Sequence, residues 1–376
     1  MNSYAEALRP SGIRAGFAPN GNGLTMHYLE AGFETAGRPR LLLLHGFPEL
    51  AYSWRKVMPA LAAAGFHVIA PDQRGYGRTE GWDPRYDGDL ASYRALNLVR
   101  DVMGLLAALE IPAVEAVVGH DFGSYVAAYC GLLRPDIFRS VALMSAPFAG
   151  PPALSADPAR RSPFETMNEA LGALSPPRKH YHWHYCTRDA DQEMSAPPQG
   201  LHAFLRAYYH HKSGDWEGNR PYRLSAWTAE ELAKLPTYYV MERDLGMAAT
   251  VAPFMPSQEE IAVCRWLPDS ELAVYAAEYA RNGFQGGLQW YRARVVPALQ
   301  AELEVFSGRK IDAPTCFISG ERDWGIHQAP GALETLEQRA SSRYAFTTLI
   351  PGAGHWVQQE APEAVTEQLL RFLALR

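Results

Sequence analysis

The sequence is poor in the features that tie a chain to an oxidising compartment, a membrane or a polyanion. Its four cysteines, Cys130, Cys186, Cys264 and Cys316, are scattered with no C-x-x-C pair, which argues against a disulfide framework. No apolar stretch approaches the roughly 18 to 20 residues that span a bilayer, and the N-terminal "MNSYAEALRPSGIRAGF" lacks the apolar centre of a signal peptide. A reduced, cytoplasmic protein is the expectation. The net charge of −6 is mild and no run of like charges gathers it, so neither nucleic acid nor a membrane surface is an expected partner. A neutral or weakly polar small molecule fits better.

What is present is enough to bury a sizeable core: 47% of the 376 residues are apolar and 20% are charged. Short apolar runs recur at 40–46 (RLLLLHG), 67–72 (HVIAPD), 113–119 (AVEAVVG) and 140–147 (SVALMSAP). Helical patterns such as that at 95–110 separate them, which reads as βαβ units around a parallel sheet buried on both faces. After Pro147 the chain becomes proline-, tyrosine- and helix-rich, with Thr228/Glu231 and Ser257/Glu260 spaced as capping boxes. The alternation resumes at 313–320 and 345–352. The spacing predicts an α/β core in two pieces, 1–147 and 301–376, with a helical cap at 148–300 inserted after a core strand. In open α/β sheets ligands bind at the carboxyl ends of the strands, where such an insertion would cover them.

Three strand ends carry reactive side chains: Asp121 in GHDFG (119–123), Asp323 after CFISGER, and His355 after TTLIPGAG. Each has an ordinary reading alone, as a helix N-cap, a turn residue and a core histidine. Their order matches the nucleophile, acid and base of α/β-hydrolases. HGFPE at 45–49 follows another apolar run, so the N–H groups of Phe47 and Phe122 are the expected oxyanion hole. A carboxylate where serine is usual attacks saturated carbon and leaves an ester that water must cleave.

Taken together, HGFPE, SW (53–54), DQRGYGRT (72–79), GHDFG, GERDW (320–324) and GAGHW (352–356) resemble the soluble epoxide hydrolases of the α/β-hydrolase fold. The resemblance implies conversion of an epoxide and water to a vicinal diol through a covalent aspartyl ester, with no cofactor and no metal. It also implies two cap tyrosines that donate to the epoxide oxygen. Tyr291 in GLQWYRA matches one; Tyr181 and Tyr185 in KHYHWHYC are open for the other, an ungapped comparison favouring Tyr181. The expected pocket walls are Phe47, Phe122, Trp290, Trp324 and Trp356, suited to an apolar or aromatic epoxide. In the R-G-Y-G turn, Arg74 and Tyr76 are expected to brace rather than react.

The rival reading is a haloalkane or haloacid dehalogenase with the same aspartate nucleophile. Those enzymes usually carry halide-holding or carboxylate-holding side chains where this chain has Phe47 and Phe122, although HWHY at 182–185 faintly resembles a halide pocket. His180, His182 and His184 alternate as three imidazoles on one strand face would, but no cysteine or carboxylate cluster accompanies them. A polar cap segment is the expectation there. Oligomeric state is unreadable.

Overall fold

The computed structural model describes residues 10–156 and 162–375; the first nine residues, which begin the N-terminal segment considered above, lie outside them. In chain order the strands are β1 (Ile13–Pro19), β2 (Thr25–Ala31), β3 (Arg40–Leu44), β4 (His67–Pro71), β5 (Ala116–His120), β6 (Val141–Met144), β7 (Arg178–His180), β8 (Val240–Glu242), β9 (Thr315–Gly320) and β10 (Tyr344–Ile350). Eight of them form one sheet in the order β1-β2-β4-β3-β5-β6-β9-β10. The pairs β1–β2 and β2–β4 are antiparallel and the remaining pairs parallel. This is the α/β-hydrolase architecture expected from the alternation of apolar runs and helices.

Strands β3 to β6 form because helices cover both faces of the sheet there. Leu41 to Leu44 and Val117 are wholly buried, and each such leucine contributes about 1.5–3 kcal/mol of burial. The hairpin of β1 and β2 was not foreseen. Its sequences, IRAGFAP and TMHYLEA, contain no apolar run, because β1 is an edge strand with much of its length part-exposed.

The segment between β6 and β9 rises over the carboxyl ends of the parallel strands. Most of it is helical, including Leu201–Lys212, Asp269–Asn282 and Gln285–Val295, but β7 and β8 add a two-stranded antiparallel sheet. Ser257 and Glu260 form the full capping box. Thr228 makes only half of one: its hydroxyl accepts from the Glu231 N–H, while the Glu231 carboxylate turns to Ser225 N–H at 3.0 Å. Buried polar bonds seat this segment on the core. Trp290 Nε1 donates to the Arg74 carbonyl (2.9 Å), Tyr209 Oη to that of Pro48 (2.9 Å), and Arg55 pairs with Glu271 (2.5 Å). Arg74 itself pairs with Asp101 at 2.7 Å, a bracing role as expected. Among the described residues no helix is long and apolar enough to cross a membrane.

The turn from β5 into helix Phe122–Leu133 leaves no room for a side chain at its glycines. A methyl group on Gly123 would stand 2.2 Å from the Leu44 carbonyl oxygen, a backbone atom of β3 that cannot swing aside. Gly123→Ala is therefore expected to lose about 1–3 kcal/mol of stability, read by urea or thermal unfolding. A loss within 0.5 kcal/mol would show that β3 and the helix have slack.

Candidate active site

Asp121 occupies the first position after β5 with φ 52° and ψ −118°, a left-handed conformation costly for a residue with a side chain. The strain turns its carboxylate away from the helix it precedes. Although Asp121 stands at the N-cap position, its side chain makes no capping hydrogen bond, so the ordinary reading of this residue fails. Instead Oδ1 accepts the Phe47 N–H at 3.1 Å. That approach needs Gly46, where a Cβ would lie 2.6 Å from Oδ1. The Phe122 N–H, first in its helix, has no preceding turn to bond to and heads the helix beside the same carboxylate. Both expected oxyanion donors are thus at the elbow.

His355 lies on the turn after β10, with Nδ1 3.1 Å from each carboxylate oxygen of Asp323. Asp323 is itself fixed by the Gly325 N–H (2.7 Å) and the Ser319 hydroxyl (3.2 Å). His355 Nε2 points to Asp121 Oδ2 at 3.6 Å, outside hydrogen-bond range, and makes no other bond. The sequence-predicted trio is brought together in the order nucleophile, base, acid. Burial would raise the Asp121 carboxyl, but the facing His355, with Lys212 and His120, outweighs it and holds the group well below the usual carboxylate range. Burial and Lys212 pull His355 down, yet Asp323 and Asp121 prevail and hold it above 6.5.

From the cap, Tyr291 sets its ring edge-on to Phe122 (centroids 4.6 Å) and Phe47 (5.4 Å). Its hydroxyl makes no hydrogen bond among the described residues. Tyr181 stands 5.8 Å from Tyr291 between ring centroids; its hydroxyl lies 3.2 Å from Gln328 Oε1 and 2.8 Å from His182 Nε2. Burial pushes both phenols well above 10, so each is a neutral donor. Tyr185 directs its hydroxyl to Tyr208 at 3.2 Å. Of the two candidates, Tyr181 is the one lining a cavity of about 200 Å³ together with Asp121, Phe122, Tyr125, Arg294 and Gln328.

Of the five expected pocket residues only Phe122 lines that cavity; the other four do not, and neither does Tyr291, which packs behind Phe122 and Tyr181. Trp290 and Trp356 spend their indole N–H groups on the carbonyls of Arg74 and Tyr209, wedging cap against core, and Trp324 packs edge-on against Tyr222. Phe47 lies beneath it, among Tyr185, Phe284 and Tyr291. The alternating histidines share no strand face: His180 ends β7, whereas His182 and His184 lie on the short helix Tyr181–Tyr185. Trp183, in the stretch resembling a halide pocket, is 40% exposed.

Four polar residues were missed. Glu49 accepts from Gly46 N–H and pairs with His120 (2.6 Å), whose other ring nitrogen meets the His355 carbonyl (2.7 Å). Glu49 and His120 were in quoted motifs, but nothing in their spacing told a carboxylate–imidazole pair from ordinary turn residues. Lys212 is buried, with its ammonium 5.0–5.7 Å from the rings of Tyr208, Tyr238, Tyr239 and Trp356. Gln328 carries no sequence signal at all.

Residues 39–362 match the family model described as alpha/beta hydrolase fold. The epoxide hydrolase of Caballeronia sordidicola is 31% identical over 352 residues, 94% of this chain and 91% of that protein. Epoxide hydrolase A of Mycobacterium tuberculosis is 33% identical over 362 residues, 94% and 95% of the two chains. Among solved structures, an epoxide hydrolase from an endophytic Streptomyces superposes with a TM-score of 0.77 at 28% identity, covering 97% of this chain and 96% of that one. Potato (Solanum tuberosum) epoxide hydrolase I gives 0.74 at 27% identity, covering 97% and 100%. With its aspartate elbow, its Asp323–His355 pair and this likeness along nearly its whole length, the chain belongs to the alpha/beta hydrolase fold family and, within it, to the epoxide hydrolases.

Proposed function

We propose that the protein hydrolyses an apolar or aromatic epoxide to a vicinal diol through a covalent ester on Asp121. The observation that carries this reading is the Asp121 carboxylate, turned off its helix, with one oxygen on the Phe47 N–H and the other facing His355 Nε2. Oδ2, left free by the oxyanion donor, attacks an epoxide carbon; the carbon–oxygen bond breaks, and the departing alkoxide takes a proton from Tyr291 or Tyr181. His355 Nε2 then accepts a proton from a water whose oxygen adds to the Asp121 carbonyl carbon. The N–H groups of Phe47 and Phe122 hold the resulting oxyanion, and its collapse releases the diol with Oδ2. The proton on His355 passes to the leaving alkoxide, the proton left on the regenerated Asp121 carboxyl restores the phenol that acted as acid, and Asp323 holds the imidazole in the tautomer this requires. Phe122, Tyr125, Phe148, Phe164 and Trp227 around the cavity suit an apolar or aromatic body. The phenylalanine side chains after the oxyanion glycine and the nucleophile offer a halide no donor, which favours an epoxide over a carbon–halogen bond.

The test is a single turnover in oxygen-18 water with enzyme in excess: the first diol should carry unlabelled oxygen from Asp121. Prompt solvent label in that diol would refute the ester. A panel of epoxides beside haloalkanes and haloacids should give diol and no halide; halide without diol would mean the dehalogenase reading.

His355→Gln should trap the ester, adding one substrate mass to the intact chain with no diol released. Tyr291→Phe should slow alkylation by on the order of 10²-fold or more, measured by rapid-quench adduct formation, while leaving ester breakdown near its original rate. An unchanged alkylation rate would reduce Tyr291 to packing.

The charges also set a pH order. The base works when neutral, so hydrolysis is lost as pH falls through the pKa of His355. Esterification removes the negative charge of Asp121, one of the two groups that raise that pKa, while burial and Lys212 continue to lower it. The inflection for ester hydrolysis should thus lie below the His355 titration of the free enzyme followed by NMR, and the reverse order would contradict this balance.

A further inference from the structure

Arg294 is a cation in the catalytic cavity with nothing to hold. It lines the same space as Asp121, and a second cavity of about 790 Å³ is lined by Tyr125, Gly150, Phe164 and Arg294 as well. The guanidinium carbon stands 4.8 Å from the ring centre of Tyr125 and 5.9 Å from that of Phe122. Stacking on an aromatic face positions a guanidinium and leaves its five in-plane donors free. Among the described residues those donors meet no carboxylate, no carbonyl and no hydroxyl.

This is unusual for the molecule. The other inward-turned arginines are all engaged: Arg55 with Glu271, Arg74 with Asp101 and Arg206 with Asp269. On the same helix Arg292 turns the other way and donates to the Tyr86 carbonyl and to Gln289. The Arg294 donors are open to the cavity rather than sealed off, and the ligand that best matches a guanidinium fork is a planar, two-oxygen anion. Gln328 on the cavity wall gives its amide oxygen to Tyr181, which leaves its NH₂ group without an acceptor among the described residues.

Arg294 lies one helical turn beyond Tyr291, with three residues' separation placing both on one face of helix Gln285–Val295. A substrate whose oxirane oxygen meets Tyr291 can therefore extend along that face. A carboxylate next to the oxirane would instead be driven against the ionised Asp121.

We infer that Arg294 forms a carboxylate subsite, and that the preferred substrates are epoxides with an apolar or aromatic body carrying a carboxylate several bonds from the oxirane. The inference rests on the epoxide hydrolase reading and adds a charge requirement to it. Arg294 selects the substrate and orients the oxirane, and takes no part in bond making.

The experiment uses a chain-length series of terminal epoxyalkanoic acids and 4-oxiranylbenzoic acid, each beside its methyl ester, with styrene oxide as a neutral reference. For wild-type enzyme, kcat/KM should favour the acid over its ester by on the order of tenfold or more, with an optimum in chain length and a preference that falls with added salt. In Arg294→Gln the acid-to-ester ratio should collapse towards one through KM, and Arg294→Lys should restore part of it. Melting temperature and covalent labelling of the variants by styrene oxide show that they remain folded with an intact elbow. A wild-type enzyme that opens styrene oxide and the esters but gains nothing from the carboxylate, or a preference that survives in Arg294→Gln, would overturn the subsite alone. A wild-type enzyme that forms diol from no member of the series would overturn the underlying reading.

Discussion

The chemistry depends on a close approach of backbone at three glycines. Gly46 lets the Asp121 carboxylate reach the Phe47 N–H, while Gly119 and Gly123 let β5, its turn and the following helix lie against one another and against β3. With a Cβ at any of the three, strand and helix would part by tenths of an ångström or more, and the oxyanion donors would part from the carboxylate with them. The positive φ of Asp121 is the visible cost of this arrangement. Its return is that the carboxylate, making no capping bond to its own helix, keeps Oδ2 free and facing His355.

Around this turn the charges are balanced without being quenched. Asp121, Asp323 and Glu49 are buried with His355 and His120 a few ångströms away, and the buried Lys212 adds its charge to the same site. Direct bonds join Asp323 to His355 and Glu49 to His120, whereas Asp121 touches no cationic partner at hydrogen-bond distance. A carboxylate saturated by a tight ion pair would be a poor nucleophile, and an isolated one would be protonated by burial. Holding the positive groups near but out of contact keeps Asp121 ionised with Oδ2 unbonded. His120 also links the two halves of the core, since its second ring nitrogen meets the backbone of His355 itself. The base and the elbow are therefore placed by one continuous set of bonds.

How legible this was in the sequence follows from how local each signal is. Asp121 and Asp323 follow apolar runs that form fully buried strands, His355 follows the part-exposed edge strand β10, and their order along the chain placed all three at the carboxyl ends of the strands. The two oxyanion residues followed from the same runs. The hairpin of β1 and β2 escaped because an edge strand needs no apolar run, and the tryptophans were misplaced because an indole N–H can be spent on a backbone carbonyl as readily as turned to a pocket. Arg292 and Arg294 are indistinguishable in sequence. A rotation of 200° about a helix axis sends one to Tyr86 and the other to the cavity, and only the packed cap decides which. Gln328 meets Tyr181 across 147 residues, and Lys212 meets rings from three separate segments, for which no local pattern exists.

The two cap tyrosines are unequal, and the inequality follows from their hydroxyl protons. Each phenol has one proton to give. The Tyr181 proton already has two competing acceptors, Gln328 Oε1 and, in one tautomer, His182 Nε2. Since burial keeps His182 neutral, its unpartnered Nδ1 is better left as a bare acceptor than as a buried N–H, which places the ring proton on Nε2. His182 then donates to Tyr181, and Tyr181 must exchange Gln328 for the epoxide oxygen before it can act. Tyr291 surrenders no bond. In the proposed mechanism it would meet the oxirane with its proton free, while Tyr181, polarised by the imidazole behind it, would be better suited to steadying the alkoxide once the ring has opened.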